Sequence, residues 1–394
     1  MARLDLLKDL ISDKVSDDLL LSGAALGVSF IICLMLIPVI IRLSVKFNLV
    51  DKPNERKVHK VPVSRLGGLG IILGISSSIP LWFIGGNVNF LLHLIAGMII
   101  LIVIGVTDDL RELTPRVKFA GQIIAALLLA HAGLRIDDMF GILGVGHLPH
   151  IVQYILTVFI VAGIINAFNL IDGIDGLAGG LALINMTGFF FLFILSGELS
   201  LALISASTAG ALLAFLKYNY HPAKIFMGDT GSMILGYLLS CAGILSLVMS
   251  RNVNSYFNYS ETAIIVFSIF LLPVYDTLRV FIGRVINKKS PFSPDKTHIH
   301  HLLMQTGFNH PKSAKILYSA NIVIILTGFL LRSEKLSLVV PLLLLEVFLF
   351  SDFLTLYKLI RALFRGRNLK NKTLRMKVDN RLLMDNLEEQ DGNK

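Results

Sequence analysis

Charge is what this chain has least of. Lys, Arg, Asp and Glu make up 16% of its 394 residues, against about 25% in an ordinary soluble domain. Apolar residues make up 54% and the mean hydropathy is +0.73, which leaves no room for a sizeable soluble domain. Cysteine is equally scarce. Cys33 and Cys241 both sit inside apolar runs, which excludes a disulfide framework and a paired-cysteine metal site. Residues 1–21 mix acidic and basic side chains and lack the basic start and short apolar core of a cleaved leader. The first apolar run is therefore expected to stay as an anchor. No sequence similarity recurs at a fixed period, which argues against a repeat architecture.

Long apolar runs take the place of what is missing. One crossing of a bilayer needs about 20 apolar residues. Candidate spans lie near 22–44, 66–84, 90–107, 119–134, 150–168, 177–196, 199–216, 231–250, 261–282, 314–331 and 337–360. The expected fold is an all-α, polytopic bundle of about eleven transmembrane helices. The net charge of +9 then reads as membrane topology rather than as a nucleic-acid surface. One set of loops carries Lys46, Lys52, Arg56, Lys57, Lys60 and Arg65, then Arg111, Arg116 and Lys118, then Lys217 and Lys224, then Arg284, Lys288, Lys289 and Lys296. The alternate set carries only Arg135, Arg251, Arg332 and Lys335. By the positive-inside rule the first set faces the cytoplasm, with the N-terminus outside and the C-terminus inside. Three regions follow: a polar, amphipathic segment at 1–21, the membrane-embedded body at 22–361, and a charged cytoplasmic tail at 362–394 with no catalytic role.

The unusual polar clusters all fall on the side assigned to the cytoplasm. The central one is INAFNLIDGIDGLAGG, Ile165 to Gly180. At a bilayer centre Asp172 and Asp175 would each cost roughly 2.5–3.5 kcal/mol, so the stretch is a loop at a membrane face or a polar notch among helices. Its asparagines and aspartates suit a nucleobase, a ribose or a metal; the plain alternative is a helix-loop-helix turn. Upstream, Asp51 to Gly68 is a cationic loop with two prolines and paired glycines, in which Lys57, His59 and Arg65 suit phosphate oxygens. Asp108 and Asp109 are adjacent carboxylates that end an apolar run, either neutralised by a cation or serving as a helix cap. Asp229, in FMGDTGS, is a Mg²⁺ ligand or an N-cap. Last come Pro273, Tyr275, Asp276 and Arg279, followed by SPFSPDKTHIHH with Lys296, His298, His300 and His301. Without a cysteine or HExxH partner, that histidine group fits phosphate better than zinc.

Together these loops supply carboxylates (Asp108, Asp109, Asp172, Asp175, Asp229) and basic groups (Lys57, His59, Arg65, Lys118, Arg279, His298, His300, His301). Phosphoryl transfer needs both: oxygen ligands for a divalent cation, and cations for the non-reacting phosphate oxygens. A membrane-embedded chain with this outfit suggests a lipid-tailed substrate and a nucleotide-linked donor from the cytoplasm. A transporter would carry ionisable residues in mid-span and show related halves, whereas these cluster at one face. A membrane phosphatase or zinc hydrolase would differ in its metal and in using water as acceptor.

At the pieces DKPNERKVHKVPVSRLGG, GVTDDLRELTPRVKF, NAFNLIDGIDGLAGG, MGDTGSM and PVYDTLRV…SPFSPDKTHIHHLL, the sequence resembles the polyprenyl-phosphate N-acetylhexosamine-1-phosphate transferases, glycosyltransferase family 4. The pieces stand in family order across residues 51–303, and the first and last look like the branch that uses UDP-N-acetylglucosamine. Ser64 departs from the pattern, which has proline there. The resemblance implies transfer of a sugar-1-phosphate from a UDP-N-acetyl sugar to undecaprenyl phosphate, releasing UMP, as the first membrane step of a cell-surface glycan. It implies Mg²⁺ as cofactor, with Mn²⁺ as a substitute, and a multi-pass protein of the bacterial inner membrane. It also implies that Asp229 ligates the metal and that Asp108 and Asp109 act at the lipid phosphate. Asn166, Asn169, Asp172 and Asp175 would line the nucleotide site, and His298, His300 and His301 would hold the diphosphate or sugar. Another UDP-N-acetyl sugar, including one bearing phospho-N-acetylmuramoyl-pentapeptide, is the alternative donor, and a homodimer through lipid-facing helices is left open.

Overall fold

The computed structural model describes residues 13–51, 62–84, 86–139, 145–252, 255–290 and 296–354. Apart from a two-residue strand pair, the described residues are helices and their connections. They run in order α1 (Asp13–Lys46), β1 (Val50–Asp51), β2 (Val63–Ser64), α2 (Gly67–Ser76), α3 (Ile79–Trp82), α4 (Val88–Arg111), α5 (Pro115–His131) and α6 (His150–Ile171). Then follow α7 (Leu177–Leu195), α8 (Leu199–Asn219), α9 (Gly228–Met249), α10 (Tyr259–Ile286), α11 (Ile299–Gln305), α12 (His310–Leu330) and α13 (Leu336–Leu354).

Every apolar segment expected to span is helical, but the lengths are uneven. Among the described residues nine helices are long and apolar enough to cross a membrane. The other two segments fall short of about 20 residues. Gly67–Ser76 has 10 residues and stops at Ser77-Ser78 before the single turn of α3, and Pro115–His131 has 17. The first helix departs the other way. It spans 34 residues from Asp13, so residues 13–21 lie on the same helix as the first span; the rest of the segment 1–21 and the tail at 362–394 lie outside the described residues. Both cysteines are buried and unpaired.

α8 and α9 form the centre of the bundle, because small residues let their neighbours come close. Gly210 leaves no room for a side chain against the Leu26 carbonyl of α1. Ser29 and Cys33 of α1 donate to the Ser207 and Ala211 carbonyls of α8 at 2.6 and 3.3 Å. The N-terminal half of α9 meets α2 at Gly68–Gly231, α4 at Gly105–Thr230 and α6 at Gly236–Ile165, each a backbone approach with no space for a Cβ. The strand pair adds to this. Val50 pairs with Ser64 and Asp51 with Val63, antiparallel. Ser64 donates to Ser44 at 2.8 Å and accepts the Leu66 N–H at 3.1 Å. Its carbonyl accepts the Phe226 N–H at 2.7 Å, and the Gly67 and Gly68 N–H groups donate back to the Phe226 and Met227 carbonyls. The residues before α2 and before α9 are thereby zipped together.

The alternate loops meet at the other end of the bundle. Arg251 holds Asp137 with both guanidinium arms and donates to Tyr259 at 2.8 Å, and Ser333 donates to Glu261 at 3.0 Å. The poorly charged loop set thus forms its own cluster, away from the carboxylates.

The Gly68–Gly231 crossing gives a direct test of this packing. Gly68→Val is expected to destabilise the protein by about 1–3 kcal/mol through overpacking. Gly163→Ala, on α6 with nothing within 4 Å of the added atom, should leave the melting temperature in detergent unchanged.

Candidate active site

The carboxylates expected at the chemistry gather where α4 ends, α5 begins and α9 begins. Asp108 and Asp109 are consecutive on the last turn of α4, so they point about 100° apart. Asp108 turns toward α5, where Lys118 Nζ donates to its Oδ2 at 3.1 Å; its Oδ1 accepts the Leu113 N–H at 2.7 Å and closes the α4–α5 turn. The same Lys118 Nζ donates to Asp229 Oδ2 at 2.6 Å. Pro115 in the first turn of α5 starts that helix with its φ preset and places Lys118 one turn inside it. Asp109 turns toward α9. Its Oδ1 accepts the Asp229 N–H at 2.8 Å, and its Oδ2 accepts the Thr230 N–H at 3.1 Å and the Thr230 hydroxyl at 2.5 Å. A carboxylate from another helix thus caps the positive end of α9. Gly228 makes this approach feasible: its φ is +71°, and a Cβ there would meet both Asp109 oxygens and the Arg65 carbonyl. Arg65, Asp109 and Leu110 also line a small open recess with Asn48, Leu49 and Val50.

The end of α6 and the loop from it to α7 pack against this group. Asn166 donates to Gln122 on α5 at 2.7 Å, and Asn169 donates to Ser232 on α9 at 2.9 Å and reaches Asp229. Asp172 ends α6. Burial, and then the negative charges of Asp229, Asp109 and Asp175, push its carboxyl up to about 7. Asp175 faces elsewhere. Its Oδ2 lies 2.7 Å from His221 Nδ1 and accepts the Ala223 N–H at 3.2 Å, while its Oδ1 lies 3.4 Å from His310 Nδ1. Burial alone would raise Asp175, but hydrogen bonds from His310, His221 and the Ala223 N–H outweigh it and hold the carboxyl below the usual range. The loop then turns through Gly176, at φ +80°, whose N–H donates to Asn219 at 2.9 Å and whose carbonyl accepts the Tyr318 hydroxyl at 2.5 Å.

The histidine motif is anchored by Asp276. His298 Nδ1 lies 2.9 Å from Asp276 Oδ2, and the Ile299 N–H and Arg279 donate to Asp276 Oδ1 at 2.9 and 3.2 Å. Arg279 also donates to the Thr297 carbonyl. His300 is buried between the rings of His298 and His301 and presses on Gly173, where a Cβ would collide with its Nε2. The histidine motif and the central loop therefore share one wall. Burial, followed by the nearby His301, lowers His300 to about 3, so it is a neutral imidazole at neutral pH. Lys57 and His59 lie outside the described residues.

Sequence reasoning passes over several participants. Thr230 and Gln122 are ordinary helix residues whose contacts depend on tertiary packing. Asn219 and His221 from the end of α8, and His310 from the start of α12, come from two distant places in the chain that only the fold brings to the central loop. Asp276 stands in the last of the polar motifs without a role, although its place between Pro273 and Arg279, just ahead of the histidines, is a signal.

The family model described as glycosyl transferase family 4 matches residues 91–247, the span from α4 through α9. A Bacillus subtilis (strain 168) protein named "Probable undecaprenyl-phosphate N-acetylglucosaminyl 1-phosphate transferase" is 35% identical over 321 residues, covering 79% of this chain and 85% of its own length. The chain belongs to this family of sugar-phosphate transferases. A decaprenyl-phosphate N-acetylglucosaminephosphotransferase of Mycolicibacterium smegmatis is 35% identical over 300 residues, covering 70% of this chain and 73% of that protein. An undecaprenyl-phosphate alpha-N-acetylglucosaminyl 1-phosphate transferase of Yersinia pestis is 29% identical over 352 residues, covering 85% and 91%.

Lys118 is the cation that bridges Asp108 and Asp229. Lys118→Met should lower sugar-phosphate transfer by about 10²-fold or more, the scale of losing one electrostatic group in a reacting site. Lys118→Arg should recover part of it. Rates measured on membranes matched for protein content check both.

Proposed function

We propose that this protein transfers N-acetylglucosamine-1-phosphate from UDP-N-acetylglucosamine to undecaprenyl phosphate and releases UMP. One observation carries the reading: the Asp108–Lys118–Asp229 bridge and the Asp109 cap of α9 sit beside the end of α6 and the short loop from Asp172 to Gly176, at one end of a lipid-embedded bundle. The names of the relatives from Bacillus subtilis and Yersinia pestis support the acceptor and the sugar. The excess of Lys and Arg in the loops at this end supports a cytoplasmic orientation, which is the side that supplies a nucleotide-linked donor.

The residues fit a hard divalent cation. Asp229 and Asp109 are close enough for their charges to raise Asp172, and all three offer carboxylate oxygens, which Mg²⁺ prefers. Asp229 and Asp172 would hold it. Bound there, Mg²⁺ neutralises the non-reacting oxygens of the donor's diphosphate.

The chain's own groups do the remainder. Asn169 and the loop up to Gly176 hold the nucleotide, and His298 and His301 face its diphosphate. The recess beside Arg65 and Asp109 receives the lipid phosphate. An oxygen of that phosphate attacks the sugar-bearing phosphorus, the bond from that phosphorus to the UMP oxygen breaks, and UMP departs with the electron pair. A phosphate monoester is already anionic at neutral pH and needs little help from a base. Both oxygens of Asp108 and both of Asp109 already accept hydrogen bonds, which weakens either as a nucleophile and favours direct attack. Lys118 stabilises the charge spread over the transferring group.

Purified protein with undecaprenyl phosphate, Mg²⁺ and radiolabelled UDP-N-acetylglucosamine should move label into organic extract with one UMP formed per labelled lipid. Asp229→Asn should abolish that turnover. Absence of transfer from every UDP-N-acetyl sugar would overturn the proposal, and a phospho-sugar trapped on Asp108 or Asp109 would overturn direct attack.

The reaction should also show a pH-dependent need for Mg²⁺. Asp172 titrates at about 7 when no cation is present and must be ionised to favour one. Its proton competes below that value, so the Mg²⁺ concentration for half-maximal rate should rise about tenfold from pH 8 to pH 6. Asp172→Asn should flatten this dependence, and an unchanged slope in that variant would assign the effect to another group.

A further inference from the structure

Gly176 joins the short central loop to α7, and both of its backbone polar groups are held from outside that loop. Its N–H donates to Asn219 Oδ1 at 2.9 Å, from the last residue of α8. Its carbonyl accepts the Gly180 N–H of α7 at 2.9 Å and the Tyr318 hydroxyl of α12 at 2.5 Å. The second arm of Asn219 goes elsewhere: Nδ2 donates to the Ile225 carbonyl at 2.8 Å. Neither assignment can be reversed, because a backbone N–H only donates and a backbone carbonyl only accepts. Ile225 stands four residues before Asp229. The next N–H, that of Phe226, is held by the Ser64 carbonyl at 2.7 Å. One amide, on a residue 3% exposed, therefore ties the central loop to the segment that delivers Asp229. Closing the α8–α9 connection would need only the Ile225 arm. The Gly176 arm is additional to that and reaches the loop.

We propose that Asn219 is a positioning residue for the nucleotide-linked donor: with Tyr318 it clamps Gly176 and so fixes the central loop against the start of α9 before the donor arrives. This rests on the loop from Asp172 to Gly176 being the seat of the nucleotide. Gly176 lies in the left-handed region, at φ +80°, and a glycine has wide backbone freedom. Unclamped, it would let the loop take other paths, and the donor would have to order the loop on binding at a cost in affinity. Clamped, the loop is ready. Tyr318 holds the carbonyl and Asn219 the N–H of the same residue. Two side chains from distant helices thus share one task, and removing either releases much of what both hold. The effect falls on donor binding, and leaves the acceptor and the chemical step alone.

Amide hydrogen exchange over residues 172–180 of the full-length protein in lipid nanodiscs reads the clamp without any substrate. Tyr318→Phe removes one hydroxyl and leaves the Asn219 bond in place, yet it should speed exchange of the Gly176 N–H about tenfold. The kinetic measurement is a split between constants. Tyr318→Phe and Asn219→Ala should each raise KM for UDP-N-acetylglucosamine about tenfold and weaken inhibition by UMP equally, with KM for undecaprenyl phosphate unchanged and kcat within about threefold. The double variant should stay within about threefold of Asn219→Ala, because both act through Gly176. Gly163→Ala should move none of these values. Unchanged exchange in Tyr318→Phe would overturn the clamp, even where Asn219→Ala does not fold. Faster exchange with an unchanged donor KM, or with donor and acceptor KM rising together, would leave Asn219 a merely structural role and overturn the proposal as well. If wild-type protein transfers from no UDP-N-acetyl sugar, it is the proposed reaction that falls, and the exchange result still decides the clamp.

Discussion

The structure at the reacting end depends on one contact, the carboxylate of Asp109 on the first turn of α9. The opening N–H groups of a helix have no partner within it. Here they are met by a side chain from α4, which spares α9 a cap from its own sequence and ties two long helices together at the point where function is needed. The contact also fixes Asp229, because the N–H that Asp109 accepts belongs to Asp229 itself. Lys118 then bridges Asp229 to Asp108, the neighbour of Asp109. Four residues on three helices form a closed loop of interactions, and moving one displaces the other three.

Glycine makes that loop sterically feasible. Gly228 takes a positive φ and leaves space for Asp109, and Gly105 lets α4 slide against the backbone of Thr230. A methyl group at either place would hold α4 and α9 too far apart for a carboxylate to reach an N–H. The zipper of Ser64, Gly67 and Gly68 to Phe226 and Met227 pins the other side of the same helix start. Backbone rather than side chains sets this geometry, so short glycine-bearing motifs stand out in a sequence otherwise made of interchangeable apolar residues.

The helices are legible in the sequence because an apolar run of bilayer length is seldom anything but a membrane span. The carboxylates are legible because charge is rare elsewhere in the chain. Direction is harder to read. Asp172 and Asp175 are three residues apart and look like partners in one pocket. With Gly173 against His300 and Gly176 in the left-handed region, the loop turns between them, and Asp175 finds His221 and His310 instead. No periodicity encodes that turn. His310 opens a helix, next to a proline and after a capping asparagine, so its local pattern reads as capping chemistry and conceals its contact with a residue 135 positions away. The short α2 is hidden in the same way, since its apolar run continues through Ser77-Ser78 and only the three-dimensional path shows the break.

Charge balance ties these pieces to the reaction. Asp108, Asp109, Asp172 and Asp229 bring four negative charges to one end of an apolar bundle. Lys118 returns one positive charge and the first turn of α9 about half of one, which leaves a deficit of about two and a half charges when all four are ionised. The protein answers part of it by letting Asp172 hold its proton up to about 7. Once that proton is counted, the remainder is close to the charge of one divalent cation. A diphosphate donor arriving alone would deepen the deficit in a place with little water to screen it. Donor and cation therefore favour each other's binding, and the proton on Asp172 is the group that must leave when they arrive.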